Sequence, residues 1–161
     1  MQNILIAATG LTGLIGSRLE ELLSRDFEWR ALRYEDGFDI TDREKVDRAI
    51  GEFNGETVLH LAAFTDLNAA WKENGDKTGL CYRINVLGTR NIAAVCRKNG
   101  KYLIHASTDA VFGGDKKSAY TEEDRPSPIE WYGQTKAWAE EEVLKSGVGG
   151  TIVRFAYPFR N

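Results

Sequence analysis

The sequence is short of the residues that staple a fold from outside its core: two cysteines and two histidines in 161 residues. Cys81 and Cys96 fall in one expected helix, where fifteen residues at about 1.5 Å rise separate them by roughly 22 Å, too far for a disulfide. Both are expected as buried thiols. No Cys-x-x-Cys spacing occurs, and His60 and His105 stand far apart along the chain, so no metal site assembles. Long apolar runs are missing too. Met1-Gln2-Asn3 leads into only five apolar residues with no basic stretch before them, which does not read as a signal peptide or spanning helix and makes the cytoplasm the expected compartment. Nor does one sign of charge dominate, since 21 Lys and Arg face 24 Asp and Glu for a net charge of -3. These charges are spread without a basic block or aromatic-basic stripe, leaving no footprint for nucleic acid or an anionic membrane. Without a repeat, low-complexity tract or linker, residues 1–161 are expected to form a single domain.

Glycine, by contrast, is plentiful at 16 residues, and three glycines crowd into "ATGLTGLIGS" directly behind the apolar run Ile4–Ala7. Each glycine inside a helix costs roughly 0.5–1 kcal/mol relative to alanine, so Gly10, Gly13 and Gly16 ask for a compensating reason. A strand that turns through glycines into a helix N-terminus offers free amides and the positive end of a dipole to an anion such as pyrophosphate. Here the amides of Thr12, Leu14 and Ile15 are the donors expected. The dinucleotide fingerprint is G-x-G-x-x-G, and this turn has one extra residue in its first gap. The blander reading is a tight strand-helix connection whose last glycine only permits close packing.

Short β-like runs alternate with helical patterns along the rest of the chain. Strands are expected at Asn3–Ala8, Trp29–Tyr34, Thr57–Ala62, Tyr102–Ser107 and Thr151–Phe155. That alternation predicts an α/β fold, a doubly wound parallel sheet with helices on both faces. The first helix would carry Leu14, Leu19, Leu22 and Leu23 on one side. A second would open on the capping box Thr41-Asp42-Arg43-Glu44. A third would run from Gly79 to Cys96 and stop near Asn99-Gly100, and a fourth from Trp131 to Lys145. The polar stretch from Asp109 to Ile129 is long for a loop in a compact domain, a length that tends to be functional or disordered.

On the fourth helix Tyr132 and Lys136 are four apart and share a face. A fixed ammonium beside a phenol favours the phenolate and lowers its pKa, which would make the pair an acid-base device; an exposed Tyr/Lys pair on a solvated face is the bland alternative. "IHASTDAVFGG" adds a hydroxyl, Thr108, at the carboxyl edge of the sheet, where open α/β sheets bind ligands. Simple strand-end capping is its alternative role.

Taken together, Thr9-Gly-x-x-Gly-x-x-Gly16, "VLHLAAFTD", "INVLGTRNIA", "STDAVFGG", "YTEEDRPSPIEWYGQTKAWAE" and "IVRFAYPF" resemble an extended short-chain dehydrogenase/reductase, nearest the dTDP-4-dehydrorhamnose reductase branch. The resemblance runs the length of the chain and implies a Rossmann-type domain. It implies that Gly10, Gly13 and Gly16 form the pyrophosphate turn, that Asp39 and Ile40 sit at the adenine, and that Leu61, Ala62, Ala63 and Thr65 line ribose and phosphates. Lys136 would hold the nicotinamide ribose and tune Tyr132, the general acid; Thr108 would orient the reacting carbonyl, and Phe155 with Ala156 would flank the nicotinamide. Asn85 matches a family asparagine with a mainly structural role. The implied activity is reduction of a nucleotide-sugar ketone, with an epimerase or dehydratase of the same family, or a non-catalytic NADP-binding regulatory subunit, as alternatives.

Two departures from the family pattern matter. Arg33, not an acid, stands at the tip of the second strand, which favours NADP over NAD because arginine suits a 2′-phosphate. The chain also stops where the family continues into a substrate-binding domain. The expectation is therefore a cofactor-binding domain that turns sugar nucleotides over poorly, with an apolar edge near Thr151–Phe159 prone to weak self-association or homodimer formation.

Overall fold

The computed structural model describes residues 4–156 and residue 158. Asn3 and Phe159, named above at the ends of two expected segments, lie outside the described residues. Five parallel strands, β1 (Ile4–Thr9), β2 (Phe27–Leu32), β3 (Thr57–His60), β4 (Tyr102–Thr108) and β5 (Gly150–Phe155), form one sheet in the order β2-β1-β3-β4-β5. The order runs outward from β1 first one way and then the other, so the switch point where α/β sheets open a crevice lies between β1 and β3.

Alternate residues of each strand face opposite sides of the sheet, and the two sides are covered unequally. On one, Ala7, Val58 and Leu103 pack against Val46 and Ile50 of α2 (Arg43–Gly51), Ile92, Val95 and Cys96 of α5 (Thr89–Lys98), and Val143 of α6 (Trp131–Ser146). On the other, Ile6, Ala8 and Leu59 meet Leu19 of α1 (Leu14–Leu23). Of the leucines expected on one side of α1, Leu14 and Leu22 are instead half exposed, at 50% and 57%. Gly16 is the buried residue of that helix, because its bare backbone is what packs on the turn below it.

Several boundaries differ from expectation for local reasons. β2 sits two residues earlier than expected, since its register pairs Ile4 with Phe27 and Thr9 with Leu32, and Tyr34–Asp36 then form a 3-10 turn closed by left-handed Gly37. β3 ends at His60 because the chain beyond it is caught by Thr9, whose carbonyl accepts from the Leu61 amide and whose hydroxyl accepts from the Ala62 amide. The α2 cap is Asp42, which accepts from the amides of Glu44 and Lys45 at 3.0 and 3.2 Å. Thr41 does not cap; its hydroxyl donates to Asp39 at 2.8 Å.

The long third helix is continuous but uneven, with α4 (Leu80–Tyr82) passing through a π-helical turn over Arg83–Gly88 into α5. A short helix, α3 (Leu67–Lys72), capped by Asp66, was not anticipated from the pattern. The segment after β4 is ordered by its own contacts: Phe112 stacks on Tyr120 at 4.2 Å, and Lys116 pairs with Asp124 at 2.6 Å. Cys81 and Cys96 are both buried and unpaired.

Candidate active site

A cleft of about 1070 Å³ opens along the carboxyl ends of the strands. One end is the β1–α1 turn, with Gly10, Thr12, Gly13, Leu14, Ile15 and Gly16. The β2 end adds Arg33, and the segment before α2 adds Asp39 and Ile40. Leu61, Ala62, Ala63 and Thr65 line the cleft beyond β3, while Thr108, Tyr132 and Phe155 close the far end. These residues therefore meet in one space; of the others singled out in the sequence, Asn85, Ala156 and Lys136 do not line it, and Lys136 is buried at 3% exposure.

The three glycines do different work. Gly10 has a left-handed φ of 72°, and a Cβ there would stand 2.6 Å from the Ala62 nitrogen. A Cβ on Gly16 would come within 2.5 Å of the Gly10 carbonyl oxygen and the Leu11 Cα, so the close-packing reading holds for this residue. Gly13 is different: its φ is an ordinary -77°, and a Cβ would meet nothing closer than the Gly10 oxygen at 3.3 Å. A Cβ at Gly13 would press on the Gly10 oxygen, a milder conflict than at Gly10 or Gly16, and the bare Cα lines the cleft.

Helix α1 starts at Gly13 with no side-chain cap and no acid in its first turn. By contrast α2 and α3 are each capped by an aspartate. The amide end of α1 thus faces the cleft with its partial positive charge unanswered by a side chain of its own, a surface complementary to an anion. Arg33, exposed at the rim, adds a full positive charge and forms no ion pair among the described residues. Asp39 is engaged, accepting from the Thr41 amide and hydroxyl at 2.8 Å each. Asn91 of α5 anchors this stretch by donating to the carbonyls of Ile40 and Thr41.

At the opposite end Thr108 finishes β4 and also caps the turn that follows, accepting from the Ala110 amide at 3.2 Å, so its capping role is real as well. Tyr132 lies in the first turn of α6, packed beside Trp131 and Cys81. Burial, with Cys81 and Asp109 adding to it, raises the Tyr132 phenol above its ordinary value, and Thr108 pulls it back only in part. Lys136 is not among the groups that lower it; its ammonium donates to the Ala106 carbonyl at 2.7 Å. Burial brings Lys136 itself down to about 8, against the opposing pull of Glu140.

Below this end lies a buried polar layer. Asn85, in the π-helical turn, accepts from the Phe64 amide at 2.8 Å and donates to the Phe64 carbonyl and the Thr135 hydroxyl, tying the segment after β3 to α6. The π turn also carries Arg83 and Ile84 to the cleft wall, a second cation that no sequence motif announced.

The comparisons with known proteins follow the same lines. A model described as RmlD substrate binding domain matches residues 2–161. The chain belongs to this family. Within the RmlD family the chain is 37% identical over 150 residues to a dTDP-4-keto-6-deoxy-D-glucose reductase of Streptomyces niveus, covering 92% of this chain and 51% of that protein. It is 31% identical to the dTDP-4-dehydrorhamnose reductase of Mycolicibacterium smegmatis, over 96% of this chain and 46% of the relative. Among solved structures, a dTDP-4-dehydrorhamnose reductase from Bacillus anthracis in complex with NADP superposes with a TM-score of 0.87 at 31% identity, over 98% of this chain and 55% of that one. A UDP-glucose 4-epimerase from Thermus thermophilus in complex with NAD gives 0.78 at 28% identity, over 94% of this chain and 54% of that one. The chain spans about half the length of the curated relatives it matches. No described helix is long and apolar enough to cross a membrane.

Proposed function

We propose that residues 1–161 form one dinucleotide-binding domain whose cleft takes NADP(H), and that Tyr132 and Thr108 serve reduction of a nucleotide-sugar ketone. The observation that carries this reading is Gly13. Its bare Cα, the least crowded of the three, stands at the mouth of an uncapped helix, in a cleft whose other end holds a phenol and a hydroxyl. The residues fit the group: α1 amides for a pyrophosphate, Arg33 for a 2′-phosphate, and the strand-end floor for the nicotinamide.

NADPH, when bound, would supply the hydride. The chain's own residues handle the proton. Tyr132, whose phenol burial raises, is protonated at neutral pH and donates to a ketone oxygen as negative charge builds there. Thr108 hydrogen-bonds the same oxygen and orients it. Lys136, charged below about pH 8, stands one helical turn along α6 from Tyr132 and holds the Ala106 carbonyl of β4. Acid catalysis of this kind contributes typically about 10²–10⁴-fold.

Calorimetric titration tests the binding half. Gly13→Val should weaken NADP(H) by at least about tenfold, or about 1.4 kcal/mol, while Arg33→Ala should weaken NADP and spare NAD. Equal affinities in wild type and Gly13→Val would overturn the site, and parallel losses for both cofactors in Arg33→Ala would overturn the 2′-phosphate assignment. The likeness to the Thermus thermophilus epimerase supports a second reading, NAD held through turnover instead of consumed, and net cofactor oxidation during turnover separates the two.

The sugar-placing walls of such a reductase belong, on this reading, to the part of the relatives that the match does not reach. Residues 1–161 alone should therefore bind cofactor and reduce dTDP-4-dehydro-6-deoxy-L-mannose poorly, since positioning supplies a large share of the barrier lowering. β5 is an edge strand, so weak self-association is expected, and light scattering reads it.

A further inference from the structure

Glu140 is a carboxylate buried to 3% exposure, one helical turn beyond Lys136 on α6. It is fully partnered: the Ser107 hydroxyl donates to Oε1 at 2.5 Å, the Arg154 Nε donates to Oε1 at 3.0 Å, and the Arg154 guanidinium donates to Oε2 at 2.7 Å. Ser107 and Arg154 are directly opposed in the β4–β5 register. The next pair along the same register is Thr108 with Phe155, both of which line the cleft. On β4, Lys136 holds the Ala106 carbonyl and Glu140 holds Ser107, so α6 grips the two residues that immediately precede Thr108.

Burying an ion pair this deeply yields little net stability, because the desolvation of both charges offsets their attraction. Of the two residues it holds, Ser107 lines the cleft itself and Arg154 adjoins Phe155, which does. We propose that Glu140 is a positioning residue: its carboxylate locks α6 to β4 and β5 so that Lys136, Thr108 and Phe155 hold their places around Tyr132. Standing one helical turn from Lys136, the same carboxylate supports that residue's ammonium. This deepens the reading of Tyr132 as proton donor and rests on it.

Of the groups around Lys136, Glu140 does most to support its charge, with Cys81 acting in the same direction. His60 of β3 and His105 of β4 are held neutral by burial, and the Cys81 thiol of α4 is pushed up by burial. Asp109 acts on Tyr132, at the cleft side. Arg154 of β5 is a cation already satisfied by Glu140.

The test uses the 161-residue chain with lysines labelled at 13Cε, following the Lys136 resonance against pH. Wild type should titrate near 8. Glu140→Gln, which keeps the shape and removes the charge, should titrate about one pH unit lower, the size of effect expected for losing a nearby opposite charge. If Glu140→Gln does not fold, Glu140→Asp retains the charge and draws it back by one methylene. The Lys136 midpoint should then stay close to wild type, while the Thr108 methyl and Phe155 ring resonances shift. An unchanged Lys136 midpoint in Glu140→Gln, or unmoved Thr108 and Phe155 resonances in Glu140→Asp, would overturn the proposal. Neither readout involves cofactor or substrate, so a failure of the reductase reading shows separately, as turnover surviving Tyr132→Phe.

Discussion

A methyl group on Gly16 would sit 2.5 Å from the Gly10 carbonyl oxygen and the Leu11 Cα, backbone atoms that cannot rotate aside. Overpacking of that kind costs typically about 1–3 kcal/mol. Gly16→Ala should therefore lower the melting temperature by several degrees, at about 2–4 °C per kcal/mol for a domain of this size. Gly13→Ala, with 3.3 Å to its nearest neighbour, should lower the melting temperature less than Gly16→Ala and still lose cofactor affinity. Equal melting temperatures for the two variants would contradict the division of labour drawn between them. Tyr132→Phe belongs to the same scale: in any active form containing this domain it should remove most turnover, about 10²-fold or more, and leave cofactor binding nearly intact, because only the proton is lost. The glycines and the Tyr132–Lys136 spacing were legible in the sequence because both follow from local backbone geometry. The upward shift of Tyr132 and the turning of Lys136 toward Ala106 were not, because they depend on how deeply α6 sinks against β4.

The helix boundaries depend on caps, and the caps depend on which of several adjacent oxygens is free. Thr41, Asp42 and Glu44 satisfy the capping-box pattern, yet Thr41 is drawn off by Asp39 and the cap passes to Asp42. Asp42→Ala should destabilise the protein by about 0.5–2 kcal/mol, whereas Thr41→Ala should leave the α2 cap intact. Thermal melts of the pair decide it, and a larger loss from Thr41→Ala would restore the box as first read. A related limit hid the π-helical turn. Residues 80–98 carry helical periodicity throughout, and only the tertiary demand of Asn85 for the Phe64 main chain inserts the extra residue that brings Arg83 and Ile84 to the cleft. Strand order was likewise settled by packing, although the βαβ alternation already implied a parallel sheet.

Across the whole molecule, the sheet and its helices enclose a polar layer beneath the site, and this layer sets the response to acid. His60 is bracketed by Thr9 at 2.7 Å and Thr89 at 3.1 Å, while His105, with its ring centroid 5.3 Å from that of His60, has no partner for either ring nitrogen among the described residues. Burial, with the Lys136 charge adding to it, lowers His60 from 6.5 to about 3 and holds His105 well below its ordinary value. An unfolded chain takes up protons at both rings near pH 6.5, and the folded one refuses them until far lower. Between those limits the unfolded state binds more protons, so stability is lost as pH falls from about 6.5 toward 3. Lys136 has the same sign at the alkaline end, where stability is gained as pH rises from about 8 toward 10.5. Replacing His105 by leucine removes one of the acid-sensitive groups and two unpartnered polar atoms at nearly constant volume, a change worth about 1–3 kcal/mol if those atoms bear their full desolvation cost. His105→Leu should accordingly raise the melting temperature at pH 7.5 by a few degrees and shrink the fall between pH 7.5 and 4.5. If the variant loses as many degrees over that interval as wild type does, the acid sensitivity lies elsewhere than in this buried layer.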